Sequence, residues 1–329
     1  MRRGRGWRRR GRWAALIAAG HANQQTEYRQ RVSLYHAGRC RSPGRQSSQP
    51  ARSVITPPRP SLGVQTAPVL CYHRIGGPLE LGVTRVSRSV FARQMTALAR
   101  AGWRTLSLPE FAAPRSTDDA RRTFLLTFDD GYASLASHAY PILADLGFTA
   151  TTFLITDYIG KTNTWDVRYT WHRLRHLSWL QIEAWRARGF DFASHGATHR
   201  RLTWLDDATV ETELKPSREV LASRLGSDAG RAIAYPFGAV DERVLRHAQH
   251  AGYELGFGGV RGSGAPLNLS RVPVYWWDFG DVPFGLRGDA LGALGRVVAY
   301  AANRCAVGTT VMQGLTRKTA PLPESVVDA

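Results

Sequence analysis

The chain has 329 residues, 43% of them hydrophobic, with ten tryptophans and a net charge of +18. Length and composition exclude a fibrous or low-complexity protein and provide for one large domain or two ordinary ones. The charge is concentrated: residues 1–60 carry 14 arginines, no lysine and the single acid Glu27, so they supply +13 and leave +5 for the remainder. A positive balance housed in one terminal segment marks a basic tail and argues against a folded surface for specific nucleic-acid binding.

That tail opens MRRGRGWRRRGRWAALIAAGHA, and its apolar run, residues 13–20, is too short to span a bilayer and makes a weak secretory signal. Residues 24–60 are rich in Arg, Ser, Gln and Pro, the composition of disorder. Residues 1–60 are therefore expected to be a disordered tail or an over-long start, able at most to touch a membrane or another anionic surface. The cysteines, Cys40, Cys71 and Cys305, form no CxxC pair, which excludes a disulfide framework and a thiolate zinc site.

From Pro68 onward, strand and helix patterns alternate. PVLCYH reads as a short strand ending at His73, and FARQMTALARAG as a helix closed by Gly102. RTFLLTF is a buried-type strand, HAYPILADLG a helix with Pro141 near its first turn, and TATTFLI a strand. SWLQIEAWRARG has a Ser cap and a Gly stop, and FDFASH is again a strand. DDATVETELKPSREVLASRLG is helical, with Pro216 expected to force a break or restart. AIAYPFG is a strand and turn, DERVLRHAQHAG a helix, YELGFGG and SRVPVYWW strands, and DALGALGRVVAYAANR a helix. Such alternation, in about seven units, predicts a parallel sheet closed as a barrel, with its chemistry on the loops after the strands.

The polar residues that stand out lie where that architecture puts chemistry. LLTFDDGY ends an apolar run in two touching acids, Asp129 and Asp130, which repel each other unless a cation intervenes. SHGATHRRL carries His195 and His199 at i, i+4, a spacing that on a helical turn brings both imidazoles to one ion. A carboxylate from the Asp pair completes a His₂–carboxylate set, and the other acid beside it can take a proton from water. Read singly, the same strings also fit a strand-terminal turn and two surface or core histidines.

LLTFDDGYAS, SHGATH and AYPFG resemble, in this order, the three signatures of the polysaccharide deacetylases, the NodB-homology domain of carbohydrate esterase family 4. The resemblance covers roughly residues 67–304, leaving 305–329 as an irregular C-terminal tail. It implies a distorted (β/α)7 barrel, an α/β fold, and metal-dependent removal of an N- or O-acetyl group from a sugar. Carried over, Asp129 is the general base, Asp130, His195 and His199 hold one divalent ion, zinc with cobalt or nickel as alternatives, and the Phe237 N–H faces the oxyanion. Three departures stand out. Gly196 replaces a usual Ser or Thr, Ala234 replaces the Arg that orients the base, and the tail lacks a Leu-x-His. Leu70-Cys-Tyr-His73 resembles the equivalent Leu-x-Tyr-His of a circularly permuted subgroup, which makes His73 the proton donor.

Tyr132, Tyr235, Trp276 and Trp277 are the aromatic candidates for a sugar-binding surface, with core packing as the alternative for the last two. His138, His172 and His176 are expected on helix surfaces, and residues 157–179 form an aromatic, basic insertion that could cover the site. The expected partner is an acetylated carbohydrate. Competing functions are a metal-dependent amidase for a small non-sugar molecule and a non-catalytic glycan-binding barrel. The resemblance implies the cell envelope or secretion, while the weak signal leaves the cytoplasm open.

Overall fold

The computed structural model describes residues 67–78, 82–114, 121–165 and 174–302. The chain divides into two units, Met1–Pro60 and Ser61–Ala329. The first, with its expected basic tail, lies outside the described residues, as do residues 305–329 and His172.

In chain order the elements are β1 (Val69–Tyr72), β2 (Arg74–Ile75), β3 (Arg85–Val86), α1 (Arg88–Arg100), β4 (Arg104–Leu106), α2 (Leu108–Ala112), β5 (Thr123–Phe128), α3 (Ser134–His138), α4 (Tyr140–Asp145) and β6 (Thr151–Leu154). There follow α5 (Trp179–Arg186), β7 (Asp191–Ser194), α6 (Asp207–Leu225), β8 (Ala232–Ala234), α7 (Glu242–His250), β9 (Leu255–Phe257) and β10 (Val272–Pro273). A last helix, α8, covers residues 290–302. The main sheet is parallel and runs β10-β1-β5-β6-β7-β8-β9, with β4 paired to β5. The segment leading into β10 bonds to β9 through Leu269 and to β1 through Val272 and Pro273, so the sheet curls back on itself. This curled, mostly parallel sheet is the barrel type that the alternation predicts, with the distortion that the resemblance implies.

Side-chain parity explains the packing on the outer and inner faces of the sheet. Along β5, Phe124, Leu126 and Phe128 point outward and pack with Phe91, Met95 and Leu98 of α1 and Tyr140 of α4. Leu125 points inward, where it meets Val69, Phe153, Ala193, Ala234 and Phe257 from the other strands. The two-residue period continues past the strand ends. It gives His73, Asp129 and His195 the inward parity of Val69, Leu125 and Ala193, and Tyr235 the outward parity of Ile233.

Three expectations are corrected. HAYPILADLG is two helices, α3 and α4, joined at Ala139, because Pro141 at the start of α4 has no N–H for the turn before it. α6 is continuous through Pro216, since burial of Val210, Leu214, Leu221 and Leu225 along one side outweighs the single missing backbone bond. SRVPVYWW contributes only Val272 and Pro273 to the ladder. The short unit β4–α2, which has a complete capping box between Ser107 and Glu110, went unread in the sequence.

Gly238 tests this packing. It adopts φ 61°, and a Cβ there would lie 2.7 Å from the backbone of Gly259. Gly238→Ala is expected to lower stability by about 2 kcal/mol or more. The readout is a lower urea midpoint with an unchanged slope.

Candidate active site

The site stands at the C-terminal rim of the barrel, where β1, β5 and β7 end. Asp129 and Asp130 follow β5 and are buried at 3% and 6% exposure. His195 follows β7, and His199 lies four residues on; both are buried. The expected helical turn is absent. Residues 195–200 form a loop, and convergence comes from the backbone: Gly196 has φ 79° and His199 φ 59°. Among the described residues the non-glycine positions with positive φ are Arg122, Asp130, His199 and Phe237. Three of these four line this site, which is where strained backbone is retained when the surroundings over-determine it.

Ligand-type atoms of Asp130, His195 and His199 lie within 4.8 Å of one another. Asp130 Oδ1 is 3.6 Å from His195 Nε2 and 3.4 Å from His199 Nε2. A tetrahedral ion with bonds of about 2.0–2.1 Å spaces its ligand atoms roughly 3.3–3.4 Å apart, so this donor set fits a single divalent ion of the zinc type. His195 Nδ1 donates to the Ala234 carbonyl at 2.7 Å, which leaves the Nε2 lone pair available for an ion. The loop is braced from α6: the Glu213 carboxylate accepts from the Thr198 N–H at 2.8 Å and from its hydroxyl, and the Glu213 carbonyl accepts from Ala197 N–H at 3.0 Å. The hydroxyl that Gly196 lacks thus has a counterpart in Thr198.

Asp129 belongs to a different set. Arg271, 5% exposed, forks onto it, Nη1 to Oδ1 at 2.6 Å and Nη2 to Oδ2 at 2.9 Å. The Cys71 thiol donates to Oδ2 at 3.4 Å, and His195 Nε2 is 3.9 Å away. Burial pushes this carboxyl up, but the Arg271 charge, then His195 and His73, overrides burial and holds it well below the usual carboxylate range. Cys71, His73 and Asp129 also gather ligand-type atoms within 4.8 Å. There, however, the guanidinium already occupies both Asp129 oxygens and repels a second cation. Arg271 was missed by sequence reading, although Ala234, where the resemblance leads one to expect an arginine, signalled that another cation could face Asp129. It enters from the seam before β10 and passes over the Phe153 ring at 5.6 Å.

The remaining candidates separate. His73 follows β1 on the Asp129 side, and burial, opposed by Asp129, pushes its imidazole down to about 4. The Phe237 ring meets His199 edge-on at 4.8 Å. Tyr235 does not line the mouth: its outward parity buries it beside Val210, Leu214 and Val244, and its hydroxyl donates to the Leu267 carbonyl at 3.0 Å. Tyr132 is buried and stacked on His176 at 5.2 Å. Trp276 and Trp277 follow β10 on the rim, their rings 5.6 Å apart, and Trp276 is 51% exposed. His176 corrects another expectation, being 3% exposed beneath the site rather than on a helix surface. From the insertion, Trp165 packs on His199 with ring centroids 3.9 Å apart. Among the described residues, no helix is long and apolar enough to cross a membrane.

These features agree with what the chain resembles. The family model for polysaccharide deacetylases matches residues 116–256. A Bacillus subtilis strain 168 protein, a polysaccharide deacetylase by name, is 30% identical over 192 residues, covering 57% of this chain and 63% of the relative. The chain therefore spans less than two thirds of that relative. The poly-beta-1,6-N-acetyl-D-glucosamine N-deacetylase of Staphylococcus epidermidis is 27% identical over 217 residues, 58% of this chain and 72% of the relative. Among solved structures, the Streptococcus pyogenes deacetylase PplD in complex with acetate superposes with TM-score 0.57 at 25% identity, covering 64% of this chain and 93% of that one. A Bacillus cereus polysaccharide deacetylase superposes with TM-score 0.54 at 28% identity, covering 65% and 66%. The signatures stand in order on one barrel rim, and these matches together support a likeness to the polysaccharide deacetylases, carried by the family model over residues 116–256.

Proposed function

We propose that this chain is a metal-dependent hydrolase that removes N-acetyl groups from an N-acetylglucosamine-containing glycan. The observation that carries the reading is the convergence of Asp130, His195 and His199 on one point, beside a buried Asp129 that is forked by Arg271 and is not part of that set. Bound there, a divalent ion, zinc before cobalt or nickel, supplies Lewis-acid polarisation of the acetyl carbonyl and activation of water.

The chain's own groups do the rest. A carboxylate offers about four acceptor positions. Arg271 takes two on Asp129 and Cys71 one, which leaves room for a proton from the attacking water. Because Arg271 holds Asp129 in the charged form, the base is ready across neutral pH. Burial favours the neutral form of His73 in the substrate-free site, so it takes up a proton from solvent as negative charge develops beside it and passes that proton to the leaving nitrogen, while Asp129 holds the proton removed from water. The Phe237 N–H, on the turn after β8, donates to the developing oxyanion. Trp276, exposed on the rim, offers a face for a sugar ring.

Purified protein is expected to bind about one divalent ion, with His195→Ala losing it, and to release acetate from N-acetylglucosamine oligomers. Asp129→Asn should keep the ion and lose about 10²–10⁴-fold in kcat. An active Asn variant contradicts the assigned base. Metal binding with turnover only of small non-sugar amides favours the amidase reading, and glycan binding without turnover favours the binding-protein reading.

Removing Arg271 exposes its effect on the base through pH. Without the guanidinium, burial raises the Asp129 pKa against only the smaller opposing effects of His195 and His73, so the base protonates at higher pH. In Arg271→Met the acid limb of the kcat/KM profile should therefore move up in pH, with stability lower by about 3–5 kcal/mol because a buried carboxylate loses its partner. An unshifted limb in folded variant protein contradicts this role.

A further inference from the structure

The metal reading above leaves one buried group of side chains unused: Trp165 and His176, both from the chain between β6 and α5 and each 3% exposed. His176 Nδ1 is 2.7 Å from the backbone carbonyl of Asp130 and so carries a proton to donate. Its Nε2 accepts from the Trp165 indole N–H at 3.2 Å. An indole can only donate, so the two contacts together fix the neutral Nδ1–H tautomer. The far side of Trp165 lies on the His199 ring, centroids 3.9 Å apart. A continuous chain of contacts thus runs from His199 through Trp165 and His176 to Asp130, linking ligands that leave the barrel from two different strands.

The backbone fastens this link. Leu177 N–H donates to the Gly131 carbonyl and Ala133 N–H to the Arg175 carbonyl, both at 2.8 Å, on either side of His176. Tyr132 stacks on the imidazole nearly parallel, at 17°, and its hydroxyl accepts from Asn163 at 3.2 Å. The two ligands at the ends of the chain, Asp130 and His199, are also the two with positive φ, 66° and 59°. Each such conformation costs on the order of 1–3 kcal/mol and persists only where neighbours impose it.

We propose that Trp165 and His176 are positioning residues: they form a cross-brace that holds Asp130 and His199 at the separation one ion requires, and so set how tightly the chain retains its metal. The inference rests on the metal reading above. It assigns part of the insertion after β6 to the metal site itself.

The test is zinc affinity, measured by competition with a chromogenic chelator at pH 7 on folded full-length protein, with circular dichroism as the check of folding. His176→Phe and Trp165→Ala are expected to weaken zinc binding about 10–100-fold. His176→Asn keeps an N–H near the Nδ1 position and should recover most of the loss, while Trp165→Phe keeps packing without the indole N–H and should fall between. Wild-type protein that binds zinc alongside folded variants within twofold of it overturns this inference alone. Wild-type protein with no zinc affinity overturns the metal reading and this inference with it.

Discussion

Two adjacent buried carboxylates at one strand end cannot both stay charged without a cation for each, and the site is organised around that constraint. Asp129 has its cation built in, the guanidinium of Arg271 at 2.6 and 2.9 Å. Asp130 faces two imidazole nitrogens at 3.4 and 3.6 Å, the spacing of ligands around one ion. The peptide bond between the two acids therefore divides two electrostatic roles. In the proposed function, the acid with the fixed partner is withheld from the metal and kept ionised, as a base needs, and its neighbour completes the ligand set.

Holding the two acids apart in function while adjacent in sequence needs unusual backbone. Asp130 adopts φ 66°, and Gly131 at φ 64° continues the turn under Leu154. His199 and Phe237 make comparable turns. The barrel supplies the rigidity this demands: parallel strands with Phe, Leu and Tyr packed outside and Val, Leu, Phe and Ala within. Glu213 on α6 fixes the histidine loop, and the segment around His176 fixes the aspartate loop. Strain at the rim is thus met by contacts reaching down the outer face of the sheet.

Much of this was legible in the sequence because it is local. Apolar runs marked the strands, Ser and Gly marked helix ends, and the Asp-Asp-Gly and His-x-x-x-His strings announced the candidate ligands. What escaped was tertiary. Arg271 lies 142 residues from Asp129, and no local pattern ties it to the base. His176 sits in a charged, aromatic stretch that reads as surface, yet pairing of residues 175–177 with 131–133 buries it. Tyr235 was recoverable: counting parity from Ala234, which faces inward, puts the tyrosine outward. Pro216 misled because propensity yields to a buried helix face.

The division of labour between the two aspartates can be seen directly by anomalous scattering from crystals of the zinc-loaded protein. The account predicts one ion within about 2.0–2.2 Å of Asp130, His195 and His199. It also predicts Asp129 unligated and still forked by Arg271. An ion bound by Asp129 with Arg271 displaced, or seated between Cys71 and His73, would contradict it.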